Sequence, residues 1–327
     1  MPEDNSFNIS VYAKTDVGRV RAGNEDNFLV VNLSTAETWT LDSVTGPPPK
    51  SLIAFIQGHY GLVASVSDGM GGALAGEVAS RLAVEGVRDR MLELQSSSGF
   101  SKFPFSERLR LALELANLHI HYESLNHKDY QGMGATFTSV GILENTAYFA
   151  QVGDSRAYLL RQGAARQITR DQSLVSQLLE SGHLTEEEAE QYAFKNVILQ
   201  ALGASPYVKV AVSKIALQDA DTLLVCSDGL SGKVRGEEMV SIVEGAPSLE
   251  AGCGLLIDLA NKRGGEDNIT VVIVHVEGGV LAAAGQAASD HGTIEELEIE
   301  TIDRDPALPE EVDSLLLDSD DDTLPEV

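Results

Sequence analysis

An α+β fold, in which two largely antiparallel sheets pack together with helices outside, is the architecture this 327-residue sequence predicts. Strand-like runs are numerous, enough for two sheets. They do not alternate regularly with helical segments, as a doubly wound parallel fold requires. Two long amphipathic segments stand together between groups of strands rather than between single strands.

Phe7, Ile9, Val11 and Ala13 alternate with polar residues, the period of a half-buried strand. Phe28–Val31 is a shorter apolar strand. Residues 43–51, with Gly46 and three prolines, read as loop. Tyr60–Val66 reads as a buried strand. Val78, Leu82, Val87 and Met91 recur at helical spacing within Gly76–Leu94. Leu109, Leu113, Leu118 and Ile120 do the same within Ser106–Asn126. Three strands are expected at Thr136–Ile142, Ala147–Val152 and Ser155–Arg161. Short helices follow at Leu174–Ser181 and Glu186–Tyr192. Val208–Ile215 and Thr222–Cys226 read as strands, Ser248–Lys262 as a helix, and Ile269–Val276 as a final β-branched strand.

Composition bounds the function. Hydrophobic residues make up 43% and charged residues 22%, which is ordinary for a globular chain that buries its own core. Cys226 and Cys253 are too few for a disulfide framework or a cysteine-built zinc site, and they fit a reducing, cytoplasmic setting. The acidic start Met1–Asn5 predicts no signal peptide, and no apolar run reaches a membrane-helix length. A formal net charge of −27 argues against nucleic acid and anionic membranes as partners. Residues 278–327 hold 15 acidic residues against one arginine and no aromatic residue. That segment is expected to be a disordered acidic tail, either a solvated spacer or, through Leu315-Leu316-Leu317, a docking element. The expected division is therefore a globular domain at 1–277 and a tail at 278–327.

Five acidic clusters stand at expected strand ends beside glycine or asparagine: Arg21–Asp26, Ser67–Gly72, Gly153–Arg156, Ser227–Gly229 and Gly264–Asn268. One such acid usually caps a helix or closes a turn. Five change the reading, because gathered carboxylates repel one another unless cations neutralise them. Oxygen-only donors select hard cations, Mg²⁺ or Mn²⁺. Competing chemistries lack their signatures. Gly69–Gly72 has no Gly-Lys-Ser/Thr ending, Leu74 stands where a dinucleotide loop needs glycine, and neither a zinc-hydrolase histidine pair nor a Gly-x-Ser-x-Gly elbow occurs. His121, His127 and His183 read as surface or packing residues, and Cys226 as buried and inert.

Taken in order, Arg21 with Asn24-Glu25-Asp26, Ser67-Asp68-Gly69-Met70-Gly71-Gly72, Met133-Gly134-Ala135-Thr136, Val152-Gly153-Asp154-Ser155-Arg156, Ser227-Asp228-Gly229-Leu230 and Asp267-Asn268-Ile269-Thr270 resemble the motifs of the metal-dependent Ser/Thr protein phosphatases of type 2C, the PPM family, in their bacterial form. The resemblance spans about Val11 to Val276. It implies a β-sandwich with a metal centre at one edge and a mobile flap at about 169–205. It implies that Asp68 bridges two Mn²⁺ or Mg²⁺ ions and orients the attacking water. The Gly69 carbonyl, Glu25 and Asp26 would serve one ion, Asp228 and Asp267 the other, and Asp154 with Asp228 a weaker third. Arg21 would grip the substrate phosphate. The implied partners are Ser/Thr-phosphorylated proteins in a Ser/Thr kinase pathway, met by a monomeric enzyme. A catalytically silent phosphoprotein-binding scaffold and a phosphatase of small esters are the alternatives. Two departures stand out. Met70 replaces the histidine of many eukaryotic members, as is usual in bacterial relatives. In the flap, Gln172 and Lys195 stand where bacterial relatives often carry histidine and arginine, which bears on substrate preference.

Overall fold

The computed structural model describes residues 7–41, 48–96, 103–279, 281 and 293–297. In chain order the strands and helices are β1 (Asn8–Asp16), β2 (Asp26–Asn32), β3 (Glu37–Thr40), α1 (Lys50–Ile53), β4 (Ala54–Ile56), β5 (Leu62–Met70), α2 (Ala73–Ser96) and α3 (Phe105–Asn126). A 3-10 turn (Lys128–Tyr130) leads to β6 (Gly134–Ala135), β7 (Phe137–Leu143), β8 (Thr146–Val152), β9 (Arg156–Arg161) and β10 (Ala164–Gln167). Then come α4 (Leu174–Glu180), α5 (Glu186–Glu190), β11 (Ala211–Ala216), β12 (Thr222–Cys226), α6 (Asp228–Ser231), α7 (Gly236–Gly245), α8 (Leu249–Lys262), β13 (Ile269–Glu277) and β14 (Glu295–Glu296).

Two sheets form, as expected. One runs β10-β9-β12-β13-β1-β4 and the other β14-β11-β8-β7-β5-β2-β3, with β6 attached to β5. Every strand pairing described is antiparallel. The alternating residues of β1 enter the core, where Ile9 and Val11 meet Phe28, Val30, Ala64, Val140, Phe149, Leu223 and Val272 between the sheets. Strand β13 pairs with both β1 and β12 and is buried on both faces. Its other face meets Leu256, Ile257 and Ala260 of α8. On the opposite side, α2 and α3 pack together, with α2 lying on β5 and β2.

Several elements differ from the sequence expectation. Strand β5 continues past Val66 to Met70, because Asp68 pairs with Asp26 of β2 and Gly69 with Ala135 of β6. The short strands β3, β4 and β10 and the helix α7 were not expected. Strand β3 is held by Trp39, whose ring packs edge-on against Phe28 and Tyr12. Past the boundary expected at 277, Leu281 is buried and Ile294 packs on the core, so the folded unit reaches Leu297. Residues 280, 282–292 and 298–327 of the expected tail lie outside the described residues.

One buried ion pair pins the far end of the sandwich. Arg161 Nε and Nη2 donate to the two oxygens of Asp221 at 2.7 and 2.6 Å, and the backbone N–H of Gln218 adds a third bond. Removing one partner of such a pair leaves an uncompensated buried charge. Asp221→Ala should therefore cost about 3–5 kcal/mol of unfolding free energy in a denaturant titration. A loss under about 1 kcal/mol would show that the pair is not what holds this end.

Candidate active site

The five clusters expected from the sequence converge on one edge of the sandwich. The register does much of this. Asp26 at the start of β2 sits directly opposite Asp68 near the end of β5. Asp228 opens α6 immediately after β12, and Asp267 precedes β13, the neighbour of β12. Asp154 lies in the turn between β8 and β9.

Backbone and side-chain bonds hold these acids in place. The Asp68 N–H donates to Thr136 Oγ1 at 3.0 Å, and Thr136 N–H donates back to the Asp68 carbonyl at 2.8 Å. Gly69 N–H donates to the Glu25 carbonyl at 3.1 Å. A Cβ at Gly69 would collide with the carbonyl oxygens of Gly76 and Glu25, so only glycine fits there. Asn268 organises the Arg21 loop. Its Nδ2 donates to the carbonyls of Val17 and Gly23, both at 2.9 Å, and its Oδ1 accepts the Glu25 N–H at 2.7 Å. Ser227 and Thr270 hydroxyls both donate to Asp26 Oδ2, at 2.8 and 2.7 Å. Sequence reasoning quoted Asn268, Ser227 and Thr270 within motifs and assigned them no task. Ser227 and Asn268 each stand next to an acid, and Thr270 stands three residues after Asp267.

Arg21 is half-exposed at the rim. Its Nη2 donates to Asp267 Oδ2 at 2.8 Å, and Nη1 lies 4.0 Å from Glu25 Oε1. Its fork therefore borders the acids and still faces solvent.

The electrostatics are those of crowded, buried carboxyls. Burial pushes Asp68 well above the usual carboxylate range, and Asp26, Asp228, Asp267 and Asp154 push it further. Burial raises Asp26 to about 7 against the pull of the Thr270 and Ser227 hydroxyls. Asp154 is also raised to about 7, by burial first and then by Asp228 and Asp171. Asp228 rises through burial and Asp267, offset by its hydrogen bond to Asp68. Glu25 rises through burial.

Three of these residues each keep one buried oxygen without a partner: Asp26 Oδ1, Asp154 Oδ1 and Asp228 Oδ1. Orphaned buried oxygens of this kind call for a cation or an ordered water. Among the described residues, no three His, Cys, Asp or Glu side chains already close into a metal cage. The orphaned oxygens, the all-oxygen donor set and the mutual repulsion all fit hard divalent ions. A cavity of about 700 Å³ lined by Ser231, Lys233, Arg235, Glu238 and Arg263 lies outside this cluster. Its Arg263 and Lys233 are engaged by Glu238 and Glu266.

The flap residues have a task the sequence did not disclose. Gly153, at φ 98°, is held from both sides by Gln172. Its N–H donates to Gln172 Oε1 at 2.8 Å, and its carbonyl accepts the Gln172 N–H at 3.0 Å. Arg156 forks onto Asp171 at 2.9 and 2.7 Å. Asp171 and Gln172 thus grip the turn on both sides of Asp154. The flap's roots meet at the same place, where Leu199 N–H donates to the Gln172 carbonyl at 2.8 Å and Leu174 N–H to that of Val197 at 2.9 Å. Lys195 lies within electrostatic reach of Glu266, the neighbour of Asp267.

The fold and site define a two-sheet α+β sandwich with a carboxylate cluster and an arginine at one edge. A family model described as protein phosphatase 2C matches residues 52–253. The chain belongs to the protein phosphatase 2C family. It is 35% identical over 276 residues to the serine/threonine phosphatase stp of Listeria monocytogenes serovar 1/2a, covering 84% of this chain and 98% of that protein. It is 37% identical over 209 residues to the protein phosphatase PhpP of Streptococcus pneumoniae, covering 64% of this chain and 83% of that protein. Among solved structures, the Mycobacterium tuberculosis serine/threonine phosphatase PstP/Ppp aligns with a TM-score of 0.66 at 30% identity, over 83% of this chain and all of that one. The PstP catalytic domain in complex with two manganese ions aligns with a TM-score of 0.64 at 29% identity, over 83% of this chain and all of that one.

Carboxyls raised in the folded state hold protons that the unfolded chain releases. For Asp26 and Asp154, the stability this gives is full below the ordinary value of 3.8 and is lost as pH rises through about 7. The metal-stripped protein should therefore melt several degrees lower at about pH 8 than at about pH 5.5. Added Mn²⁺ should remove most of that difference. Thermal denaturation with chelator and then with Mn²⁺ measures both; a metal-free melting temperature that is flat or rises over this interval would contradict the buried-acid assignment.

Proposed function

We infer that this chain hydrolyses phosphoserine and phosphothreonine esters in proteins. The observation that carries the reading is the convergence of Asp68, Asp26, Asp228, Asp154 and Asp267 beside Arg21 in a protein phosphatase 2C family member. Related proteins named as serine/threonine phosphatases, with this chain spanning nearly the whole length of the Listeria protein, support the substrate class. The manganese complex of the PstP domain supports Mn²⁺, with Mg²⁺ as the other hard ion the donors admit.

Asp68, Asp228 and Asp267 would hold one ion. Asp68, the Gly69 carbonyl, Glu25 and Asp26 would serve a second, and Asp154 with Asp228 a weaker third. Divalent ions bound there supply a water ionised near neutral pH and charge to offset that of the phosphoryl group. The chain's own residues do the rest. Arg21 offers a planar fork matched to two phosphate oxygens, and its exposed side chain can leave Asp267 for substrate. Ser227 and Thr270 fix a carboxylate oxygen of Asp26 and Thr136 fixes the Asp68 backbone before substrate arrives, so little reorganisation remains. Asn268 holds the loop carrying Arg21 and Glu25 against the Asp267 turn. No covalent phosphoenzyme is needed.

The catalytic domain is proposed as residues 1–277 with its β14 extension, and the acidic segment beyond it as an appendage. Each ester the enzyme cuts is one that a Ser/Thr kinase makes, which places it opposite such kinases. A monomer in the cytoplasm is the setting proposed, in keeping with two buried free thiols and an acidic surface.

Asp228→Asn keeps the shape of the side chain and removes its charge. Perturbing even the residues that orient metal ligands costs about 10–100-fold, so losing a ligand should lower phosphate release from a phosphothreonine peptide at least about 100-fold. Circular dichroism should show the variant folded. Retention of metal-dependent turnover in Asp228→Asn would sink the assignment.

A further inference from the structure

The outer edge of β11 is covered by the chain's own residues 293–297. Glu296 lies opposite Ser213 and Glu295 opposite Lys214, and Leu297 N–H donates to the Val212 carbonyl at 2.9 Å. Ile294 reaches the core between the sheets. Without this strand β11 would present an open row of backbone donors and acceptors.

The two acids of the strand reach two separate places. Glu295 pairs with Lys214 at 3.2 Å, on the strand that follows the flap. Glu296 pairs with Arg170 at 3.0 Å, at the start of the flap. Arg170 leads directly into Asp171 and Gln172, which grip the Asp154 turn and receive the flap's returning root. On its other side β11 pairs with β8, whose end leads into the same turn. This short strand therefore ties the start of the flap to the strand that follows it.

The attachment is weak by construction. β14 is two residues long and its ion pairs are largely exposed, so each contributes little and is screened by salt. A contact of that strength opens and closes readily.

We propose that residues 293–297 are a releasable latch: an acidic strand docked on β11 whose bonds to Arg170 and Lys214 steady the two roots of the flap and so strengthen the binding of peptide substrate. The structural part stands alone, and the substrate part rests on the phosphatase reading. The latch accounts for the two ion pairs of this strand, since an edge cover alone would need neither Arg170 nor Lys214.

The test uses the full chain. Glu295→Lys with Glu296→Lys should speed hydrogen–deuterium exchange in β11 and at both flap roots, around 172–176 and 197–200. It should raise KM for a phosphothreonine peptide about 3- to 10-fold, the scale of losing two exposed ion pairs, while changing KM for a small aryl phosphate less than about twofold. Adding Arg170→Glu and Lys214→Glu to that variant restores opposite charges and should restore both readouts. Faster exchange confined to β11, with flap roots and peptide KM unchanged, would reduce the strand to an edge cover and overturn the proposal. A concentration-dependent dimer, with 293–297 seated on a second copy, would overturn the latch within one chain. If the unaltered chain released no phosphate, the phosphatase reading would fail and the exchange at the flap roots would still decide the structural part.

Discussion

Mutual repulsion among buried carboxyl groups is the constraint on which this structure turns. Asp26 and Asp68 face each other across two neighbouring strands, and Asp228, Asp267 and Asp154 arrive from three further turns. No arrangement of apolar side chains would gather them. They stay together because the sandwich places five strand ends at one edge, and because protons or cations offset the charge. The energy stored in that crowding is what a divalent ion releases on binding, so the site's instability without metal and its affinity for metal have one origin.

The scaffold around the acids is correspondingly polar and satisfied. Thr136, Ser155, Ser227, Thr270 and Asn268 are all buried, and each makes hydrogen bonds within the site edge. These residues fix the acids against their repulsion and leave selected oxygens bare. Gln172 extends the same framework into the flap. The Gln172 amide is a hydrogen-bonding side chain on Gly153 that does not titrate near neutral pH.

Much of this was legible in the sequence. The alternation at Phe7, Ile9, Val11 and Ala13 marked β1, and the acids beside glycine marked the site. The two-sheet architecture followed from the order of strands and helices. What escaped had physical reasons. Short edge strands such as β10, Ala164–Gln167, carry little apolar signal because they bury little. Helix α7 starts and ends on glycine and buries only Met239 and Val240, so its period was short. β14 is a pair of glutamates, which read as tail because its stability comes from an open edge and two distant cations. That Asp26 opposes Asp68, and that Gln172 clasps Gly153, are matters of register and return path that no local pattern encodes.

The central claim is that these acids exist to hold divalent ions for phosphoester hydrolysis. It is tested most directly by phosphate release from a phosphothreonine peptide as Mn²⁺ is titrated into metal-stripped protein and then withdrawn with chelator. The account predicts no release without metal, saturable release with it, and full reversal on chelation. A folded protein that bound the peptide and released no phosphate with Mn²⁺ or Mg²⁺ would contradict it.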